Sequence, residues 1–85
     1  MAALAFIGLG SNLAHPRRQL ARATAALRRV PATTLLKVSR NYATAPQGTL
    51  QAQPDYMNAV AAVRTSLSPR ALLGRLLAIE RRQHR

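Results

Sequence analysis

Tyr56 and Asn58 lie two residues apart in Asp55-Tyr56-Met57-Asn58, at the start of a stretch that alternates in character. On a pleated strand residues i and i+2 share a face, so an aromatic ring and an amide point the same way. The ring offers a flat surface, and the amide offers both donors and an acceptor. That pairing suits a small planar heterocycle that displays donors and acceptors around its rim. With no ligand to meet, the same residues are an ordinary capped strand start.

Gly8-Leu9-Gly10 follows an apolar run and invites comparison with a phosphate-cradling loop. It lacks a third glycine at the required spacing and a following Lys-Ser/Thr, so the comparison fails. The simpler expectation is that Gly10 lets the chain turn sharply while Ser11 and Asn12 bond the freed backbone. Asp55 and Glu80 are the only acids, there is no cysteine, and there are two histidines, so no metal site built from this chain's own ligands is expected. Glu80, beside Arg81 and Arg82, reads by itself as a solvated helix charge.

Five elements must position these residues. Ala2 to Leu9 is an apolar run of strand length, expected to be buried. Pro16 opens a helix where its missing N–H costs nothing, and Leu20, Ala23, Thr24, Leu27 and Val30 keep helical spacing until Pro31. From Thr33 the period becomes two. Leu36, Val38, Arg40, Tyr42 and Thr44 fall on one face of this second strand, and Leu35, Lys37, Ser39, Asn41 and Ala43 on the other. Ala45 to Pro54 reads as a loop. Tyr56 to Thr65 alternates again, with Tyr56, Asn58, Val60 and Ala62 opposite Met57, Ala59, Ala61 and Val63. Ser68-Pro69 caps a last helix whose apolar stripe is Leu72, Leu73, Leu76, Leu77 and Ile79, interrupted by Gly74.

Strand, helix, strand, strand, helix is an α+β, ferredoxin-like split βαβ pattern, β-α-β-β-α, lacking its final strand. In that topology the missing strand lies beside the first, which would leave an apolar edge open to pairing with another chain. Eighty-five residues make one small domain, burying about 60–65% of its unfolded surface. No apolar run approaches the roughly 18 residues that span a bilayer. The first residues lack the basic start of a signal peptide, so a cytoplasmic protein without a membrane partner is expected.

The net charge of +11 comes from twelve arginines and Lys37 against two acids. It raises the alternative of a basic binding module for nucleic acid or an acidic partner. The arginines are spread along the chain as short pairs, and there are only three aromatic residues to stack on bases. Both features argue against a nucleic-acid interface and for arginine as the solvated face of two helices.

Three segments together carry a resemblance: Phe6-Ile7-Gly8-Leu9-Gly10-Ser11-Asn12-Leu13, Asn41-Tyr42-Ala43-Thr44-Ala45-Pro46 and Gln53-Pro54-Asp55-Tyr56-Met57-Asn58-Ala59. They resemble the hydroxymethyldihydropterin pyrophosphokinases of folate synthesis. The resemblance covers essentially the whole chain but only about the first half of the family's usual length, so residues 1–85 would be a single partial domain. It implies diphosphate transfer from ATP, as co-substrate with Mg2+, to 6-hydroxymethyl-7,8-dihydropterin. It also implies that Thr44, Ala45, Pro46, Tyr56 and Asn58 line the pterin, that Glu80 faces the nucleotide, and that Gly10, Ser11 and Asn12 brace neighbouring loops. Arg85 would be the first arginine of a catalytic loop acting on the triphosphate. Ala45 stands where the family often has proline, and Gln47 where it often has an apolar residue. The family's two magnesium-holding aspartates lie in a segment these 85 residues do not contain. The chain alone is therefore expected to be inactive, a weak pterin binder at best, and poorly soluble.

Overall fold

The computed structural model describes residues 2–11, 15–44 and 56–83. In chain order the elements are β1 (Ala3–Ser11), α1 (Pro16–Leu27), β2 (Thr33–Val38), β3 (Tyr42–Thr44), β4 (Tyr56–Thr65) and α2 (Pro69–Gln83). β4 is central and antiparallel to β1 on one side and to β2 on the other; β3 also pairs with β4. β1 and β2 therefore run parallel, joined by α1 with β4 inserted between them. This is the split βαβ arrangement expected from the order of elements.

Strand parity divides the sheet into two faces. Ala5, Ile7, Leu9 and Ser11 of β1, and Ala59, Ala61, Val63 and Thr65 of β4, turn toward the helices. Ile7, Leu27, Ala61 and Val63 form the core, with Ala5, Leu9, Leu35, Val38, Leu76 and Ile79 packed around it. The opposite face is open. Leu4 is 57% and Phe6 69% exposed there, so β1 is buried on one side only, not throughout as its continuous apolar run suggested. Among the described residues β1 pairs only with β4, which leaves its other edge free.

Two features depart from the expected alternation. β1 does not turn at Gly10: it continues to Ser11, with Gly10 opposite Asn58 and Ser11 opposite Met57. The second strand is not one strand. A register shift between Leu35 and Lys37 reverses the parity, placing Leu35 and Val38 alike toward the core side, and pairing is broken between β2 and β3. Ser39 spans the break by donating its N–H to Val60 O at 2.8 Å and accepting Val60 N–H on Oγ at 2.8 Å.

α1 starts at Pro16 after His15, whose left-handed backbone (φ 59°) turns the chain into the helix without a side-chain cap. It ends at Leu27, before Pro31, and Val30 is buried from the following turn. Ser68 caps α2 as expected, accepting Ala71 N–H on Oγ at 3.1 Å. The α2 stripe is only partly packed: Leu72 is buried and Leu76 and Ile79 half-buried, whereas Leu73 is 55% and Leu77 42% exposed. The helix leans on α1 and shares a cavity with α1 and β1.

Candidate functional site

Asn58 stands on the open face of β4, half-buried, where β3 runs alongside. Its Nδ2 donates to Thr44 Oγ1 at 2.8 Å and, at longer range, to Tyr42 O at 3.5 Å. The amide thus ties β3 to β4, and the Thr44 hydroxyl, having accepted one bond, still carries a proton to donate. Thr44 is opposite Tyr56 in the ladder and Tyr42 is opposite Asn58. Tyr42 is 47% exposed, so it is not the packed strand aromatic that its position in an apolar alternation suggests.

On the β1 side of Asn58, the described positions that face the open side of the sheet beside it, Gly8 and Gly10, carry no side chain. Gly10 pairs with Asn58 and Gly8 with Val60, both at exposed positions. A Cβ built on Gly8 would meet nothing within 4 Å. The two glycines leave a strip of uncovered backbone beside a half-buried amide and a hydroxyl. A flat ring can lie on such a strip with its rim against the polar pair.

The same end of the sheet carries a second feature on its helix side. A cavity of about 310 Å³ is lined by Gly10, Ser11, Gln19, Glu80 and Gln83 together with apolar residues of α1 and α2. Ser11 is buried, and Gln83 Oε1 is buried with no hydrogen-bond partner among the described residues. The Thr44–Asn58 pair and the Ser11–Glu80 cavity therefore meet at adjacent backbone positions but on opposite faces.

The structure thus brings Thr44 and Asn58 into contact and groups Gly10, Ser11 and Glu80 around one cavity. The backbone of Tyr56 is in the ladder; its side chain lies outside the described residues, as do Asn12, Ala45, Pro46 and Arg85 and the segment Ala45 to Pro54. The sequence reading missed Gln19 and Gln83, because isolated amides on a helix carry no motif. It also missed the glycine strip, since parity was not applied to residues read as a turn.

The described residues include no ligand set that fits magnesium. Glu80 is the one carboxylate among the described residues, and no three His, Cys, Asp or Glu side chains converge there. Octahedral magnesium held between phosphates takes one or two carboxylates beside them, and the described residues offer one, exposed on α2.

A polar pair on one face of the sheet and a cavity under the helices on the other are the features of this α+β domain that a small ligand could use. The chain belongs to the 7,8-dihydro-6-hydroxymethylpterin-pyrophosphokinase family, which matches residues 6–85. It is 46% identical over 80 residues to the 2-amino-4-hydroxy-6-hydroxymethyldihydropteridine pyrophosphokinase of Pseudomonas aeruginosa, covering 94% of this chain and 49% of the relative. The protein of the same name from Pseudomonas putida is 49% identical over 79 residues, 93% of this chain and 64% of its own length. That of Haemophilus influenzae is 47% identical over 81 residues, 95% and 50%. The chain spans about half to two thirds of the length of these relatives.

Proposed function

We propose that this protein supplies the pterin side of an enzyme that transfers a diphosphate from ATP to the hydroxymethyl group of 6-hydroxymethyl-7,8-dihydropterin, in folate synthesis in the cytoplasm. The observation that carries this reading is the 2.8 Å contact between Asn58 and Thr44 beside the glycine strip. The bicyclic ring lies on the strip, and the amide and hydroxyl meet the polar rim of the pterin. Tyr56, Ala45 and Pro46 belong to the same pocket by family resemblance, with Asn12 bracing it. Ser11 and Gly10 join the two faces of the site, so that Glu80, across the cavity, addresses the nucleotide. Arg85 acts on the phosphates, where a guanidinium fork stabilises developing charge.

The chemistry is the attack of the substrate hydroxyl on the β-phosphorus of ATP, with AMP leaving. Transfer of this kind depends on positioning and charge neutralisation. Residues 1–85 act in it as one partial domain and do not turn over by themselves, because Asp55 and Glu80, the two acids of the sequence and twenty-five positions apart, do not make up the two-magnesium site that the family resemblance implies. The free edge of β1 takes an added strand in the same reading.

Titrating the purified protein with 6-hydroxymethyl-7,8-dihydropterin, followed by ligand fluorescence, tests the pocket. Asn58→Ala and Thr44→Val should each weaken binding roughly tenfold, the loss of a ligand hydrogen bond and of its orienting partner. The double variant should lose less than the product, since the two groups share one bond. Unchanged affinity in folded variants sinks the pocket. Pterin-dependent AMP release by the 85-residue protein with ATP and magnesium would refute only the claim of inactivity.

A further inference from the structure

The arginines that look dispersed in the sequence converge in space. A cleft of about 330 Å³ between α1 and α2 is lined by Arg22, Arg29, Arg75 and Arg82. Arg22 is on α1 and Arg29 in the turn that ends it; Arg75 and Arg82 are on α2. Within each pair the residues are seven apart, about 10 Å along a helical path. The cleft is therefore flanked along both walls by cations at matched spacing.

Its other lining residues are Ala25, Ala26, Val30, Ala78 and Ile79. Alanine along both walls leaves the cleft shallow enough for a ligand chain to reach the guanidinium groups. Among the described residues no carboxylate lines it; Glu80 lines the other cavity. All four arginines are exposed, and with two acids in the chain there is little to neutralise them. No strand residue contributes, so the cleft opens on the helix layer, away from the face that carries Thr44 and Asn58.

We propose that this cleft binds a short run of linked phosphates. Guanidinium forks match phosphate oxygens two at a time. The described lining holds no aromatic side chain for base stacking and, beyond Val30 and Ile79, no large apolar side chain to form the anchor pocket a peptide needs. What remains recognises repeated negative charge on a backbone, as in a free oligophosphate or the phosphates of a nucleic-acid strand.

Calorimetric titration with inorganic tripolyphosphate, at low and at moderate salt, is the test. The pairs Arg22→Gln with Arg82→Gln, and Arg29→Gln with Arg75→Gln, should each weaken binding roughly tenfold or more. An equal charge loss off the cleft, Arg40→Gln with Arg64→Gln, should leave it within about threefold, the part owed to general attraction. Arg→Lys at the cleft positions keeps the charge and loses the fork, so it should give an intermediate loss; far-ultraviolet dichroism verifies the fold of every variant. A parallel titration with single-stranded oligothymidylate separates the sources. A matching loss there, with the salt slope falling by about 0.7 per lost contact, extends the site to strand backbones; a loss confined to tripolyphosphate makes the ligand a free oligophosphate. Equal weakening by all three Gln pairs, or no tripolyphosphate binding at low salt, overturns the assignment.

Discussion

At the scale of single residues, Asn58 shows how one side chain serves two ends. Its amide donates to Thr44 Oγ1 at 2.8 Å, tying β3 to β4, and in the proposed function the same pair meets the pterin. The sequence made this pair visible only in part: an amide and an aromatic at i and i+2 are legible, but Thr44 lies fourteen residues away and meets Asn58 only through the register of β3 on β4. Gly74 shows the opposite case. A glycine inside a helix suggests a packed face that needs the space, yet a Cβ there would meet nothing within 4 Å and the residue is exposed. Gly74→Ala should therefore stabilise the protein by about 1 kcal/mol, raising the melting temperature by about 4–8 °C for a domain of this size. Thermal unfolding followed by dichroism measures it, and a lower melting temperature would show that Gly74 has a partner in solution.

At the scale of elements, the second strand was the least legible part. Residues 33–44 alternate well enough to read as one strand, but the register shift between Leu35 and Lys37 reverses which residues face the core. A bulge leaves no compositional mark, because it depends on how the strand must bend to follow β4. Ser39 then replaces a ladder bond with its own hydroxyl. Ser39→Ala leaves the Val60 N–H without its acceptor in a half-buried position, and should cost about 1–3 kcal/mol. Urea unfolding midpoints of the two proteins test this, with Ser39→Thr, which keeps the hydroxyl, expected to recover most of the loss. A midpoint unchanged in Ser39→Ala would mean that water satisfies the amide. The helix boundaries were read more accurately: Pro16, Ser68 and Pro69 act through backbone rules that need no partner.

At the scale of the whole molecule, apolar surface is left uncovered. Leu4 and Phe6 are exposed on the sheet face away from the helices, Leu73 and Leu77 are exposed on α2, and among the described residues the outer edge of β1 has no partner strand. β1 carries no charged residue, so nothing on it opposes pairing with another strand. Self-association of the 85-residue protein should therefore be concentration-dependent, and Phe6→Lys should shift it toward monomer in sedimentation velocity. Phe6 is 69% exposed, so the substitution removes no core contact. An unchanged distribution would place the association elsewhere.

The sequence by itself determined the α+β class, the starts of both helices, the family and the order of elements apart from the break that separates β2 from β3, because caps, prolines and periodicity act over a few neighbouring residues. Tertiary structure decided what depends on register and crossing. The Asn58–Thr44 contact, the glycine strip beside it and the cavity joining Ser11 to Glu80 exist because three strands align on β4 and two helices cover one of its faces. The gathering of Arg22, Arg29, Arg75 and Arg82 has the same origin: residues more than forty positions apart become neighbours only when the helices that carry them pack together.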